Sequence, residues 1–278
     1  KLLKAWVADV NGDGLDDLIL LGWKYMSPQA PYAGLQLLLN AAISNGDGTF
    51  ALAQPQFTPT PWATPVVWGP RNFFPEDSPI CLPGDFNGDG RADFACMFQD
   101  GASKQFVGVA YANSSGGFSA GQPIQIADDP GTMVTDDPST SFIERGFVPF
   151  ETRRLAAGDV NNDGQTDLLI LDLNPADVSA CAQLGDPTVH RENCTIKYDL
   201  LTLLSRGDGF DTERTSTPWT RENFSKVVRG TPVPGSLAAA DLNGDGFADA
   251  VLLTGPVKGD RFQTLKIIRT AIRNIDGT

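Results

Sequence analysis

Four stretches of this 278-residue chain carry oxygen-bearing side chains at a spacing that suits a hard cation. They read DVNGDGLDD from Asp9, DFNGDGRAD from Asp85, DVNNDGQTD from Asp159 and DLNGDGFAD from Asp241. Positions 1, 5 and 9 are Asp, position 3 is Asn and position 6 is Gly in every copy. Oxygen donors at 1, 3 and 5, a sharp turn at 6 and a further carboxylate at 9 are what a tightly curled loop needs to surround calcium. The expected side-chain donors are Asp9, Asn11, Asp13 and Asp17; Asp85, Asn87, Asp89 and Asp93; Asp159, Asn161, Asp163 and Asp167; and Asp241, Asn243, Asp245 and Asp249. The main-chain carbonyls of Leu15, Arg91, Gln165 and Phe247, at position 7, complete the sets. An EF-hand is excluded, because it needs a bidentate glutamate at position 12 and here that residue is Leu20, Cys96, Ile170 or Leu252. Magnesium suits the donors less well, since it keeps its waters and takes fewer protein ligands. The expectation is calcium, one ion per loop, fixing the fold rather than sensing or catalysing.

Charge supports that expectation. The chain has 34 acidic and 21 basic residues, a net −13, and positions 1, 5 and 9 of the four loops hold nearly as many carboxylates as the whole excess. Without a cation, three clustered carboxylates repel, so one must protonate or the loop must open. The same acidic balance disfavours nucleic acid, whose phosphates want a positive surface. No apolar run reaches the length of a membrane span.

The elements that must position the loops are short strands. Each loop follows an apolar segment and precedes another: DLILL from Asp17, DFACMF from Asp93, DLLIL from Asp167 and DAVLL from Asp249. Runs this short beside glycine-rich punctuation read as buried strands rather than helix. Further apolar runs, GLQLLLN, FVGVAYA and LLTLLS, lead into turns at Asn45, Ser114 and Arg206, where Asp-Gly and Gly-Gly pairs supply positive φ. Each unit is therefore strand A, acidic loop, strand B, connection, strand C, turn and strand D, the content of a β-propeller blade. The expected fold is all-β, one propeller region over residues 1–278 with units near 1–76, 77–150, 151–232 and 233–278. The last unit is cut short, with QTLKIIRT from Gln263 as strand C and no strand D behind it. A closed ring needs at least four blades, so the chain is read as a partial propeller or a piece of a longer chain.

The loop, the apolar strand after it and the NGDGTF-like turn together resemble the FG-GAP/VCBS repeat. The resemblance covers all four units. It implies a calcium-bearing propeller like that of integrin α-subunits and of bacterial surface, lectin-like and Rhs/SpvB-type toxin proteins, part of a larger secreted or cell-surface protein.

Strand alternation places the metal loops and C–D turns on one face and the long connections on the other. Those connections, residues 23–33, 57–79, 123–150, 172–198 and 216–236, are expected to bind a protein or glycan ligand, because loops on a rigid scaffold carry function. They hold Trp62, Trp68, Phe73, Phe74, Trp219 and Phe224, which serve either recognition or packing between blades. Arg206-Gly207-Asp208 spells an adhesion tripeptide but occupies a hairpin-turn position, and the sequons at Asn113, Asn193 and Asn223 establish nothing. Cys81 and Cys96 flank the second loop on paired strands and are placed for a disulfide; Cys181 and Cys194 form the other expected pair. Two disulfides imply an oxidising, extracellular compartment.

No catalytic constellation is visible. The single histidine, His190, lies in an insertion, and Glu76, Glu144, Glu151, Glu192, Glu213 and Glu222 are scattered. There is no nucleophile elbow, P-loop or zinc spacing. The function expected is non-catalytic recognition or adhesion; the alternatives are a polysaccharide lyase using Lys, Arg or Tyr as base, or a purely structural shell module.

Overall fold

A computed structural model describes residues 2–25, 35–53, 58–64, 80–99, 105–127, 154–173, 196–221, 237–254 and 264–268. These residues form seventeen strands in four antiparallel sheets, without a helix among the described residues. The chain divides into two compact units, one mainly residues 1–128 and the other mainly 129–278, the short segments 164–166 and 205–209 belonging to the first.

In the first unit, β1 (Leu2–Ala8), β2 (Asp17–Tyr25), β3 (Leu35–Ser44) and β4 (Phe50–Leu52) pair in that order, and β5 (Thr58–Thr64) also pairs with β3. The second sheet joins β6 (Ile80–Gly84), β7 (Asp93–Gln99) and β8 (Gln105–Ala112), with β9 (Phe118–Ala120) and β10 (Ile124–Ala127) both on β8. The outer strand expected as one piece is thus broken in two in each sheet. In the second sheet the break holds Gly121 and Pro123, and proline has no N–H for a ladder bond.

One face of each sheet builds the core between them. Ile19, Leu21, Leu37, Leu39 and Ala41 pack with Phe94, Cys96, Phe98 and Ala110, all essentially buried. Burial alternates along β2, where Ile19 and Leu21 are buried and Leu18 and Leu20 only half so, as the two-residue period of a strand requires. Each such aliphatic or aromatic side chain contributes about 1.5–3 kcal/mol by leaving water. Trp6 meets Phe94 edge-on with ring centres 4.8 Å apart.

The second unit repeats the plan. β11 (Arg154–Gly158), β12 (Asp167–Leu173), β13 (Ile196–Ser205) and β14 (Phe210–Arg221) form one sheet, and β15 (Leu237–Ala240), β16 (Asp249–Thr254) and β17 (Thr264–Ile268) the other. Leu169, Leu171, Leu200 and Leu204 pack with Leu237, Ala250 and Leu252. The strands expected as A, B and C of the last unit are β15, β16 and β17.

Several stretches expected as connections are strand instead. Residues 23–25 continue β2, 58–64 form β5 with Trp62 inside it, 124–127 form β10, 172–173 and 196–198 extend β12 and β13, and 216–221, with Trp219, end β14. Apolar residues give out before the ends of these strands, and ladder hydrogen bonds carry the strands past that point. Trp68, Phe73, Phe74 and Phe224 lie outside the described residues, as do His190, Cys181, Cys194 and the sequons at Asn193 and Asn223. No helix among the described residues is long and apolar enough to cross a membrane.

Candidate metal loops

Every acidic loop joins the first two strands of its sheet: β1 to β2, β6 to β7, β11 to β12 and β15 to β16. The turns depend on left-handed backbone. Position 6 has φ of +84° at Gly14, +80° at Gly90, +84° at Gly164 and +89° at Gly246. Position 4 is left-handed too, as Gly12, Gly88 and Gly244, and in the third loop as Asn162 at φ 58°, the sole non-glycine with positive φ among the described residues. Asparagine is one of the few L residues that accept this region.

The carboxylate at position 1 organises the loop. Asp9 Oδ1 accepts the Gly12 amide at 2.8 Å, and its Oδ2 accepts the Gly14 amide at 2.8 Å. Asp241 does the same with Gly244 at 2.7 Å and Gly246 at 2.9 Å, and these bonds hold its pKa below the usual carboxylate value. The asparagine at position 3 reaches position 5 in every loop: Asn11 Nδ2 donates to Asp13, Asn87 to Asp89, Asn161 to Asp163 and Asn243 to Asp245, at 2.8–3.0 Å. The carboxylate at position 5 in turn caps the amide of position 7, as Asp13 does for Leu15 and Asp89 for Arg91. Positions 3 and 5 stay at the surface or half-buried.

Position 9 is different. Asp17, Asp93 and Asp167 are fully buried and Asp249 is 2 % exposed. Asp17 Oδ2 accepts the Val10 amide at 3.1 Å while Oδ1 accepts the Ser44 amide at 2.8 Å, tying loop and third strand to the start of the second. Asp93 repeats the clamp with Phe86 at 3.0 Å and Ala112 at 2.8 Å, and Asp167 and Asp249 accept the amides of Val160 and Leu242. Burial, with repulsion from Asp89 and Asp85, pushes the Asp93 carboxyl up to about 7 against the lowering effect of its two amide donors. The second loop also has a cation of its own: the Arg91 guanidinium pairs with Asp89, and Arg91 Nε donates to the Ala112 carbonyl.

A second bond recurs between loop residues within each unit. The position-8 amide donates to the position-1 carbonyl of the preceding loop: Ala92 to Asp9 at 2.7 Å and Thr166 to Asp85 at 2.7 Å within the first unit, and Ala248 to Asp159 at 2.8 Å within the second. In the second and third loops the side chain at position 7 lies over the preceding position 4. A Cβ at Gly12 would stand 3.3 Å from Arg91 Cγ, and one at Gly88 would stand 3.1 Å from Gln165 Cγ. Neither contact was foreseen from sequence. The signal available was the apolar residue at position 2, since Val10, Phe86 and Val160 are buried and anchor the first three loops by a main-chain amide, whereas Leu242 of the fourth is exposed.

The donor chemistry fits calcium: hard oxygens only, three carboxylates and an amide oxygen per loop, with no soft or nitrogen ligand required. Among the described residues, however, no three His, Cys, Asp or Glu side chains stand where together they could hold a metal ion. Main-chain amides occupy oxygens of the position-1 and position-9 carboxylates, as above.

The Cys81–Cys96 disulfide is present. These residues are direct cross-strand partners on β6 and β7, with Cα atoms 4.1 Å apart. Arg206-Gly207-Asp208 sits in the turn after β13, closed by Arg206 N–H donating to the Gly209 carbonyl.

No family model matches the chain, and no curated protein matches it. Among solved structures it is similar to the exotype rhamnogalacturonan lyase YesX, with a TM-score of 0.46 and 15% identity, over 90% of this chain and 38% of that one. It is similar to the rhamnogalacturonan lyase YesW to the same degree, with a TM-score of 0.45 and 15% identity, over 91% of this chain and 40% of that one. The chain thus spans about two fifths of the length of either lyase.

Proposed function

We propose that the chain is a calcium-binding β-propeller region of FG-GAP/VCBS type, acting outside the cell as a non-catalytic recognition or adhesion module for a protein or glycan. The observation that carries this reading is the fourfold loop: a buried position-9 carboxylate accepts the position-2 amide in every copy, and the Asn and Asp of positions 3 and 5 stay at the surface or half-buried beside it. In this reading the ion is held by the side chains of positions 1, 3, 5 and 9 with the carbonyl of position 7. Its role is to neutralise the loop charge and stiffen the turn. Within each unit, the bond from Ala92 to Asp9 or from Ala248 to Asp159 favours its two sheets set side by side as blades are.

An extracellular setting is supported by the disulfide, because such bonds persist in oxidising compartments. The ligand face is assigned to the connections between second and third strands and between successive sheets, most of which lie outside the described residues. Protein and glycan arrays probed with the full chain, with and without chelator, test the proposal. Calcium-dependent capture of one ligand class is expected; no capture under either condition leaves a structural shell. Ultraviolet-absorbing unsaturated products released from an acidic polysaccharide would replace the proposal with a lyase.

A further inference from the structure

We infer that Asn87 is the site at which this chain ages chemically, the asparagine most prone to spontaneous deamidation. When glycine follows asparagine, the glycine amide nitrogen can attack the side-chain carbonyl carbon. The N–Cγ bond forms, the Cγ–Nδ2 bond breaks, and the displaced nitrogen leaves as ammonia with the proton of the attacking amide. Water then opens the five-membered imide at either carbonyl, giving aspartate or isoaspartate. Neither an oxidant nor a cofactor takes part.

The chain has four Asn-Gly pairs, at 11–12, 45–46, 87–88 and 243–244. Three of these and the third loop offer the same asparagine at position 3, so what differs is the attacking nitrogen. The Gly12 and Gly244 amides are held by the carboxylates of Asp9 and Asp241 at 2.8 and 2.7 Å. That charge-assisted bond must break before attack, and the negative charge it faces opposes loss of the amide proton. In the second loop the oxygens of Asp85 are taken by the amides of Asp89 and Gly90. The Gly88 amide has no acceptor among the described residues, and Gly88 is exposed. The Gly46 amide has only a long bond, 3.3 Å, to the Ser44 hydroxyl, which places Asn45 between the two cases. In the third loop position 4 is Asn162, whose side chain hinders attack on Asn161.

Deamidation at Asn87 adds a carboxylate beside Asp85 and Asp89, and the isoaspartate product also lengthens the loop backbone. It does not depend on the calcium reading. The test is peptide mapping by mass spectrometry of the full chain aged in chelator at mildly alkaline pH, with isoaspartate counted enzymatically. Asn87 should convert at least about tenfold faster than Asn11 and Asn243, the lower end of the factor expected for one charge-assisted hydrogen bond. Asn161 should stay intact, and Gly88→Asn, which copies the third loop, should protect Asn87. In denaturant the three loop Asn-Gly pairs should convert at similar rates, which assigns the difference to the fold. Equal native rates at Asn11, Asn87 and Asn243, or conversion led by Asn161, would overturn the inference.

Discussion

Replacing Asp17 with alanine removes both acceptors of the clamp at the start of β2. The Val10 amide, bonded at 3.1 Å, is left buried without its acceptor, and the part-buried Ser44 amide loses its bond of 2.8 Å. Val10 is fully buried, so solvent cannot take over its bond. Each hydrogen bond to a charged group contributes about 1.5–3 kcal/mol, and a stranded buried donor carries its desolvation cost as well. The loss expected is about 3–6 kcal/mol, a large part of the 5–15 kcal/mol that holds a typical domain together. It should appear in chelator as well as in calcium, because the clamp consists of protein groups alone. Asp13 sits at the surface of the same loop, so Asp13→Ala should change stability little in chelator and should remove most of the calcium-dependent gain of that loop. The assay is urea unfolding followed by tryptophan fluorescence, with each variant measured in both conditions. If Asp17→Ala in chelator unfolds within about 1 kcal/mol of the parent chain, below the worth of a single such bond, the clamp argument is wrong.

Four further outcomes follow from the same geometry. The Asp93 carboxyl, raised by burial from 3.8 to about 7, holds a proton in the folded chain that the unfolded chain has already released. In chelator its contribution therefore falls as pH rises through that window, and Asp93→Asn should flatten a pH series of urea midpoints between those limits. At Gly90 a Cβ meets nothing within 4 Å but φ is +80°, so Gly90→Ala should cost about 1–2 kcal/mol of backbone strain; at Gly84 a Cβ would stand 2.7 Å from Thr166 Cγ2, so Gly84→Ala should destabilise by crowding instead. Both are read by thermal unfolding. Breaking the Cys81–Cys96 bond, which closes a separation of 15 residues, by the double Cys→Ala change should cost about 3 kcal/mol by the same urea assay.

The fold was legible where composition and period carried it. The apolar runs at Asp17, Asp93, Asp167 and Asp249 became second strands, the glycine turns became hairpins, and Cys81 faces Cys96 because both lie the same number of rungs from the Gly84–Asp93 pair. The outer strands were misjudged, since β5 (TPTPWAT) and the end of β14 are held by ladder bonds that side-chain polarity does not reveal. In the loops, residue types at positions 1 to 9 and the position-6 turn could be read directly. The division of labour could not: the sequence treats Asp13 and Asp17 as equivalent carboxylates, whereas the fold buries one against main-chain amides and leaves the other at the surface. That difference arises from the third strand, whose Ser44 lies 27 residues beyond Asp17.

Calcium titration of the full, chelator-stripped chain by isothermal calorimetry, paired with melting curves at each ratio, tests the central claim most directly. Four loops predict saturation near four ions per chain with a melting temperature that climbs as the ion is added. Absence of binding heat and an unchanged melting temperature at millimolar calcium would contradict it.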